Sequence, residues 1–427
     1  MKVVFVNRKI ELHYGPELVS FELPEEKISW VASPKRLDPI KDFDAEVKNA
    51  IRNPVGCPNL GDIIKQNGKN TVIIVDDFTR ATPVSKILPI LLSELNEAGV
   101  QDADITILIG LGTHRAMTEE ECRERIGKEI YERVKVVNHA CNDTDQLVYI
   151  GDTPSGIPIR VNKLYYESDV SIAIGNVIPH IYAGWSAGAK LVQPGVSGPD
   201  TTARTHLVAA RNITQILGNL ENPVRKEMED IARQTGLKMI INTVMNTDGT
   251  VVRVIAGDVV KAHRECVKVA EKIYAIDVPT RPDLVVCSSY PAYQDLWQSV
   301  KPMTVAAMMV KQQGVVILLS PAPEGDCPGH PDFVGLGVRS VEEVYEMVNR
   351  GEIEDEVSAT VNMTVAAVRE MAKIIVVTEQ QNKVYVENLG LKYAGDIQEA
   401  LSLASNMDPN INSIGIITHG ADLAKKF

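Results

Sequence analysis

The stretch V-I-I-V-D-D-F-T-R-A-T-P, residues 72–83, decides the fold. Val72, Ile73, Ile74 and Val75 leave no side of the chain for water, the pattern of a strand buried on both faces of a parallel sheet. A polar turn follows, and Pro83 opens a segment, 84–98, with Ile87, Leu88, Leu91, Leu92 and Leu95 at helical spacing. Strand, polar loop and helix make the repeating unit of an α/β sheet.

The same unit recurs outward from this point. Residues 105–111 read as a second strand, and Thr118 with Glu121 forms a capping box that starts a helix. Residues 134–138 and 170–175 are further strands, and 146–162 is a hairpin around Pro154-Ser155-Gly156. Helices are expected over 204–217 and 223–235, the latter with Asn222 and Pro223 as N-cap and first position. Residues 237–256 form a hairpin turning at Asn246-Thr247-Asp248-Gly249, and Asp258 caps a helix to about 275. The opening M-K-V-V-F-V-N-R-K-I reads as a strand. Asp277-Val278-Pro279-Thr280-Arg281-Pro282 is the best linker. Beyond it come strands at 283–288, 314–319, 373–377 and 414–418, and helices near 298–312, 340–350, 360–372 and 396–406. The expected fold is α/β: two α/β domains, 1–276 and 277–427, with a cofactor and substrate cleft between them.

Composition narrows the function. Lys plus Arg is 44 against 56 for Asp plus Glu in 427 residues, a net charge of −12. That opposes a nucleic-acid footprint but not a small anionic substrate, because a few cations in one cleft reverse the local field. The apolar runs are too short for a membrane helix and the opening lacks the features of a signal peptide, so a cytoplasmic protein away from the membrane is expected. Six cysteines without a C-x-x-C pair read as reduced thiols.

In open α/β sheets the ligand sits beyond the carboxyl ends of the strands, so the reactive residues that directly follow strands are the candidates. D-D-F-T-R, 76–80, offers Asp77 and Arg80, and G-L-G-T-H-R, 110–115, offers His114. A charged helix cap and an ordinary loop histidine are the plain alternatives. The most unusual stretch is N-V-I-P-H-I-Y-A-G-W-S-A-G-A-K-L-V-Q-P-G-V, 176–196. It carries His180, then a turn of small residues with Ser186 and Gly188, then Lys190. Such a turn lets backbone N–H groups approach a phosphate, and a lysine there can contact the phosphate or attack a carbonyl. A tight turn with an exposed lysine is the plainer reading. T-T-A-R-T-H, 201–206, puts His206 at a helix start. S-S-Y-P-A-Y-Q-D-L-W-Q-S-V-K, 288–301, supplies Tyr290, Trp297, Gln298 and Lys301, and P-A-P-E-G-D-C-P-G-H-P, 321–331, reads as a cleft rim. His13, His139, His263 and His419 read as structural.

Together these pieces resemble the nickel-pincer lactate racemase family. The matching motifs are D-D-F-T-R, G-T-H-R, P-H-x-x-A-G-W-S-x-G-A-K-x-x-x-P-G-V, T-H at 205–206 and Q-S-V-K at 298–301. The family commonly has S-G-G where this chain has Ser186-Ala187-Gly188, and tyrosine where it has Trp297. The resemblance implies a pyridinium-3,5-bisthiocarboxylic acid mononucleotide attached to Lys190, gripping nickel through sulfur, carbon and sulfur. It implies His206 on the metal, and Asp77, Ser186 and Gly188 near the cofactor. His114 and His180 are then the acid/base pair. Arg80, Gln298 and Lys301 hold the substrate anion, with Trp297 and Tyr290 as pocket walls. The reaction implied is racemisation or epimerisation of a small 2-hydroxy acid by reversible hydride transfer. A dehydrogenase using the same cofactor and a non-enzymatic cofactor carrier are the rivals. Proteins that synthesise the cofactor are implied partners. The apolar surface of Tyr290, Trp297 and the 321–331 loop predicts an apolar or short substrate side chain.

Overall fold

The computed structural model describes residues 7–327, 330 and 332–426. The first sheet has six strands in the order Val251–Gly257, Met239–Met245, Val170–Asn176, Thr71–Asp76, Ile105–Gly110 and Lys135–Asn138. All neighbours in it are parallel except the hairpin of Met239–Met245 with Val251–Gly257. Thr71–Asp76 lies in the middle and is buried throughout, as its unbroken apolar run requires. The helix Val84–Glu97 covers one face with the leucines and isoleucines named above.

The second sheet runs Lys392–Ala394, Ala372–Val377, Gly314–Leu319, Leu284–Ser288, Ile414–Ile417 and Ile28–Ala32, all parallel. The last strand, Ile28–Ala32, comes from the N-terminal part of the chain and joins the second sheet beside Ile414–Ile417. The hairpin Asn7–Tyr14 with Glu17–Pro24 buries Ile10, Leu12, Phe21 and Leu23 against Leu284, Val286, Ile317 and Ile416. Burial of that apolar face outweighs proximity in sequence. Residues 1–6 of the strand read at the start of the chain lie outside the described residues.

Two helix boundaries also move. The helix expected over 204–217 begins at Pro199, with proline in the first turn, and stops at Arg211 before a short helix Ile213–Ile216. The helix expected from 360 begins at Glu356, because Asp355 accepts from the N–H groups of Val357 and Ser358. These two helices pack against each other and tie the sheets together through Leu207, Ala210, Ala359 and Met363. Among the described residues no helix is long and apolar enough to cross a membrane.

Candidate active site

Thr71–Asp76 and Val170–Asn176 are neighbouring parallel strands whose chains leave in opposite directions, one to Ile105–Gly110 and the other to Met239–Met245. A crevice opens at such a switch point. Leu284–Ser288 and Ile414–Ile417 form the equivalent point in the second sheet, since the chain runs from the first of these strands toward Gly314–Leu319, away from the other.

The loop after Thr71–Asp76 is held from below. Arg125 donates to the carbonyls of Asp76, Arg80 and Thr82 at 3.0, 2.9 and 3.0 Å and pairs with the Asp76 carboxylate. Thr82 Oγ1 donates to the same carboxylate at 2.5 Å. Asp76 is thereby spent on the scaffold, and Asp77 faces the site. Asp77 Oδ1 accepts from Thr79 N at 3.0 Å, and Oδ2 lies 2.6 Å from His114 Nδ1. Burial works against charge on Asp77, but His114 and then Arg80 outweigh it and hold the carboxyl below its ordinary range. An ionised Asp77 fixes the His114 proton on Nδ1 and leaves Nε2 with a lone pair.

The turn after Val170–Asn176 is built more tightly still. Ser186 Oγ donates to Asn176 O at 2.6 Å and accepts from Ile178 N at 2.9 Å, so its hydroxyl is consumed in shaping the loop. Arg225, fully buried, donates to the carbonyls of Ala183 and Ala187 at 3.2 and 3.4 Å and to that of Trp185. His263 Nε2 donates to Ser186 O at 2.7 Å, and a Cβ on Gly188 would come within 2.8 Å of the His263 ring. Ser186 and Gly188, expected at the cofactor, thus act first on the turn itself. Ala187 adopts φ +57° and ψ −163°, a region that glycine alone occupies without strain. The turn delivers Lys190 on the short 3₁₀ segment Gly188–Leu191. Burial, then repulsion from Arg80, lowers the Lys190 ammonium to about 7.

His180 Nδ1 accepts from Tyr182 N at 3.1 Å, which puts the proton of the neutral ring on Nε2. Burial, then Lys190, Lys301, Arg80 and His206, push its pKa far down, so the ring is neutral near pH 7. His206 lies in the second turn of Pro199–Arg211 rather than at the helix start. Its Nδ1 donates to Thr202 O at 2.8 Å and leaves Nε2 as a lone pair, and burial lowers its pKa to about 4.

The second unit contributes the helix Leu296–Met309, capped by Asp295, which accepts from Gln298 N at 2.6 Å. Trp297, Gln298 and Lys301 follow in its first turns. Burial first lowers Lys301 to about 8; Asp422 opposes this and Arg80 adds to it. Arg80 is therefore felt at Asp77, His180, Lys190 and Lys301, and His180 feels Lys190, Lys301 and His206 as well, so the charges meet across the two units. Tyr290 does not join them directly. It stacks between His13, 4.2 Å away, and Tyr293, 6.2 Å away, at the second switch point, edge-on to His419. Sequence reading missed Arg125, Arg225 and Asp422. Arg125 and Arg225 sit in charged helical segments without a motif, and Asp422 lies near the end of the chain, where only the fold brings it to Lys301.

Residues 14–218 match the lactate racemase N-terminal domain and residues 278–424 the lactate racemase C-terminal domain. The chain is 30% identical over 423 residues to the lactate racemase of Thermoanaerobacterium thermosaccharolyticum, covering 97% of this chain and 98% of that one. It is 35% identical over 287 residues to the lactate racemase of Lactiplantibacillus plantarum, covering 65% of this chain and 66% of that one. The T. thermosaccharolyticum lactate racemase apoprotein superposes with a TM-score of 0.88 at 29% identity, over 98% of this chain and all of the other. A Thermotoga maritima protein shares the fold with a TM-score of 0.71 at 18% identity, over 92% of this chain and all of that one. Matched in both halves and along nearly its whole length, the chain belongs to the lactate racemase family and is an isomerase.

Proposed function

We propose that the protein racemises a 2-hydroxy acid, lactate or a related 2-hydroxycarboxylate, using a nickel-pincer nucleotide bound covalently through Lys190. The observation that carries this reading is that His180 feels two cations from different units, Arg80 and Lys301, while His114 is bonded to Asp77, which feels Arg80 as well. A dehydrogenase needs one base, and a carrier needs neither base nor anion clamp.

The residues fit the group. A lysine amine lowered to about 7 has enough free base at neutral pH to be acylated by a carboxyl-derived group. His206 offers nickel a neutral nitrogen whose orientation is set by the Thr202 carbonyl. Among the described residues no three His, Cys, Asp or Glu side chains converge as a metal site. His206 would be the chain's nitrogen donor to a metal held there, and the sulfur groups of the nucleotide would suit nickel. The chemistry the group supplies when bound is reversible acceptance of the C2 hydride.

The chain's own residues do the rest. Arg80 and Lys301 hold the carboxylate, which keeps the substrate in place while its planar keto form turns over. His114 Nε2 takes the hydroxyl proton, and Asp77 stabilises the imidazolium that results. His180 Nε2–H would donate a hydrogen bond to the substrate oxygen, and the proton held on His114 would return to that oxygen when hydride returns to C2. Moving hydride rather than a C2 proton avoids a dianion next to the carboxylate.

The test is the intact mass and metal content of protein made together with the cofactor-synthesis proteins. Wild type should carry a mononucleotide-sized adduct and nickel. Lys190→Ala should lose the adduct, and His206→Ala should keep the adduct and lose most of the metal. An adduct on Lys190→Ala would overturn the assignment.

A further inference from the structure

Between His180 and Lys190 the chain makes a tight hairpin, in which Pro179–His180 pairs with Gly184–Trp185. Tyr182 sits at its tip and is buried. Its backbone N–H donates to His180 Nδ1 at 3.1 Å. Its ring meets the His206 imidazole in a T-shaped contact, with centroids 4.8 Å apart and an interplanar angle of 74°. Its hydroxyl lies 2.8 Å from Thr364 Oγ1. Thr364 Oγ1 itself donates to Thr360 O at 3.0 Å, so the phenol is the donor between the two. Tyr182 therefore touches both His180 and His206 and is anchored in the second unit.

The contact with His206 decides how that ring is held. Among the described residues the ring makes one hydrogen bond, from Nδ1 to Thr202 O at 2.8 Å within its own helix. Such a bond sets the tautomer but leaves the ring free to tilt about the line from Nδ1 to the carbonyl. An aromatic ring packed across it removes that freedom and fixes the direction of the Nε2 lone pair, as supporting contacts around a metal-binding histidine do. Tyr182 in turn takes its place from Thr364, on the helix Glu356–Met371. That helix packs along Pro199–Arg211, which bears His206, and Glu356 pairs with Arg204 at 3.1 Å. We propose that Tyr182 is a positioning residue: it fixes the lone pair that His206 offers to nickel, and its bond to Thr364 makes that aim depend on the docking of the second unit. The nickel part rests on the function proposed above, whereas the hold on the His206 ring belongs to the chain alone.

The experiment uses protein made together with the cofactor-synthesis proteins, as wild type, Tyr182→Phe, Thr364→Val, the double variant and Thr364→Ser. Nickel release into excess chelator is followed on protein whose Lys190 adduct is verified by intact mass. Tyr182→Phe and Thr364→Val should each release nickel about tenfold or more faster with the adduct intact. The double variant should stay within about threefold of either single one, because both remove the same bond. Thr364→Ser, which keeps the hydroxyl, should stay within about threefold of wild type. Unchanged release in both single variants, or effects that multiply in the double variant, would overturn the proposal. The second readout is the NMR line of His206 Cε1–H in protein without cofactor. It should be sharp in wild type and broadened by ring exchange in Tyr182→Phe, and more so in Tyr182→Leu. A line equally sharp in Tyr182→Phe and wild type would also overturn it. Wild-type protein that takes up no nickel defeats the metal reading, while the His206 line still decides the role of Tyr182.

Discussion

Replacing Asp77 by asparagine tests the acid/base assignment with the least disturbance. In Asp77→Asn the amide oxygen would still accept from Thr79 N, as Asp77 Oδ1 does at 3.0 Å. The other end of the side chain, however, would present an N–H to His114 Nδ1 where a carboxylate oxygen now lies at 2.6 Å. Two donors cannot face each other, so the His114 proton moves to Nε2 and the base loses its lone pair toward the substrate. The imidazolium formed during proton transfer also loses a charge-assisted hydrogen bond of about 1.5–3 kcal/mol. That term alone is roughly 10- to 150-fold in rate. With the inverted tautomer added, the loss should reach about 10²- to 10⁴-fold in kcat. Racemisation of the holoenzyme followed by polarimetry measures the rate, and the imidazole nitrogen resonances of protein without cofactor report the tautomer. Activity within threefold of wild type, or a His114 proton that stays on Nδ1, would refute the reasoning.

Two further outcomes follow from the anchor turn. Lys190 is lowered to about 7, so its free base appears through pH 7 rather than near the ordinary lysine value of about 10.4. In protein without cofactor, an amine-reactive reagent at pH 8 should find a larger free-base fraction on Lys190 than on exposed lysines, and its labelling rate should level off above pH 8 while exposed lysines keep rising; peptide mass mapping checks this, and a rate that climbs steadily to pH 10 would contradict it. Ala187→Gly should relieve about 1–3 kcal/mol of backbone strain, set against about 0.5–1 kcal/mol of extra chain entropy and about 0.8 kcal/mol for the buried methyl; urea unfolding should therefore show a stability change between a loss of about 0.8 and a gain of about 1.7 kcal/mol, and a loss above about 1 kcal/mol would mean the turn is unstrained.

What the sequence made legible depended on how local the signal was. The apolar run 72–75 and the spacing of 84–98 specify a buried strand and its helix through contacts a few residues apart, and both stand as read. The hairpins around Gly156 and Gly249 were equally plain from their turn residues. Ile28–Ala32 was not, because an edge strand is half exposed and its partner, Ile414–Ile417, lies at the far end of the chain. The site divides in the same way. His114, His180 and Lys190 announce themselves by following strands. Arg225 gives no such sign, because its partners are carbonyls of the 183–187 loop, and a backbone acceptor leaves no trace in the sequence. Ser186 was legible as important but not in its role, since only the fold reveals that its hydroxyl is already bonded at both ends.

The central claim is racemisation by transfer of the C2 hydride to the bound cofactor and back, with the imidazoles handling the hydroxyl proton, and one measurement addresses it directly. Holoenzyme is incubated in deuterated water with a single enantiomer of a 2-hydroxy acid, and optical rotation and C2 deuterium content are followed together. The account predicts decay of the rotation to zero with protium retained at C2 and no build-up of keto acid. Racemisation with deuterium entering C2 at the same rate would contradict hydride transfer. Unchanged rotation with accumulating keto acid would contradict racemisation itself.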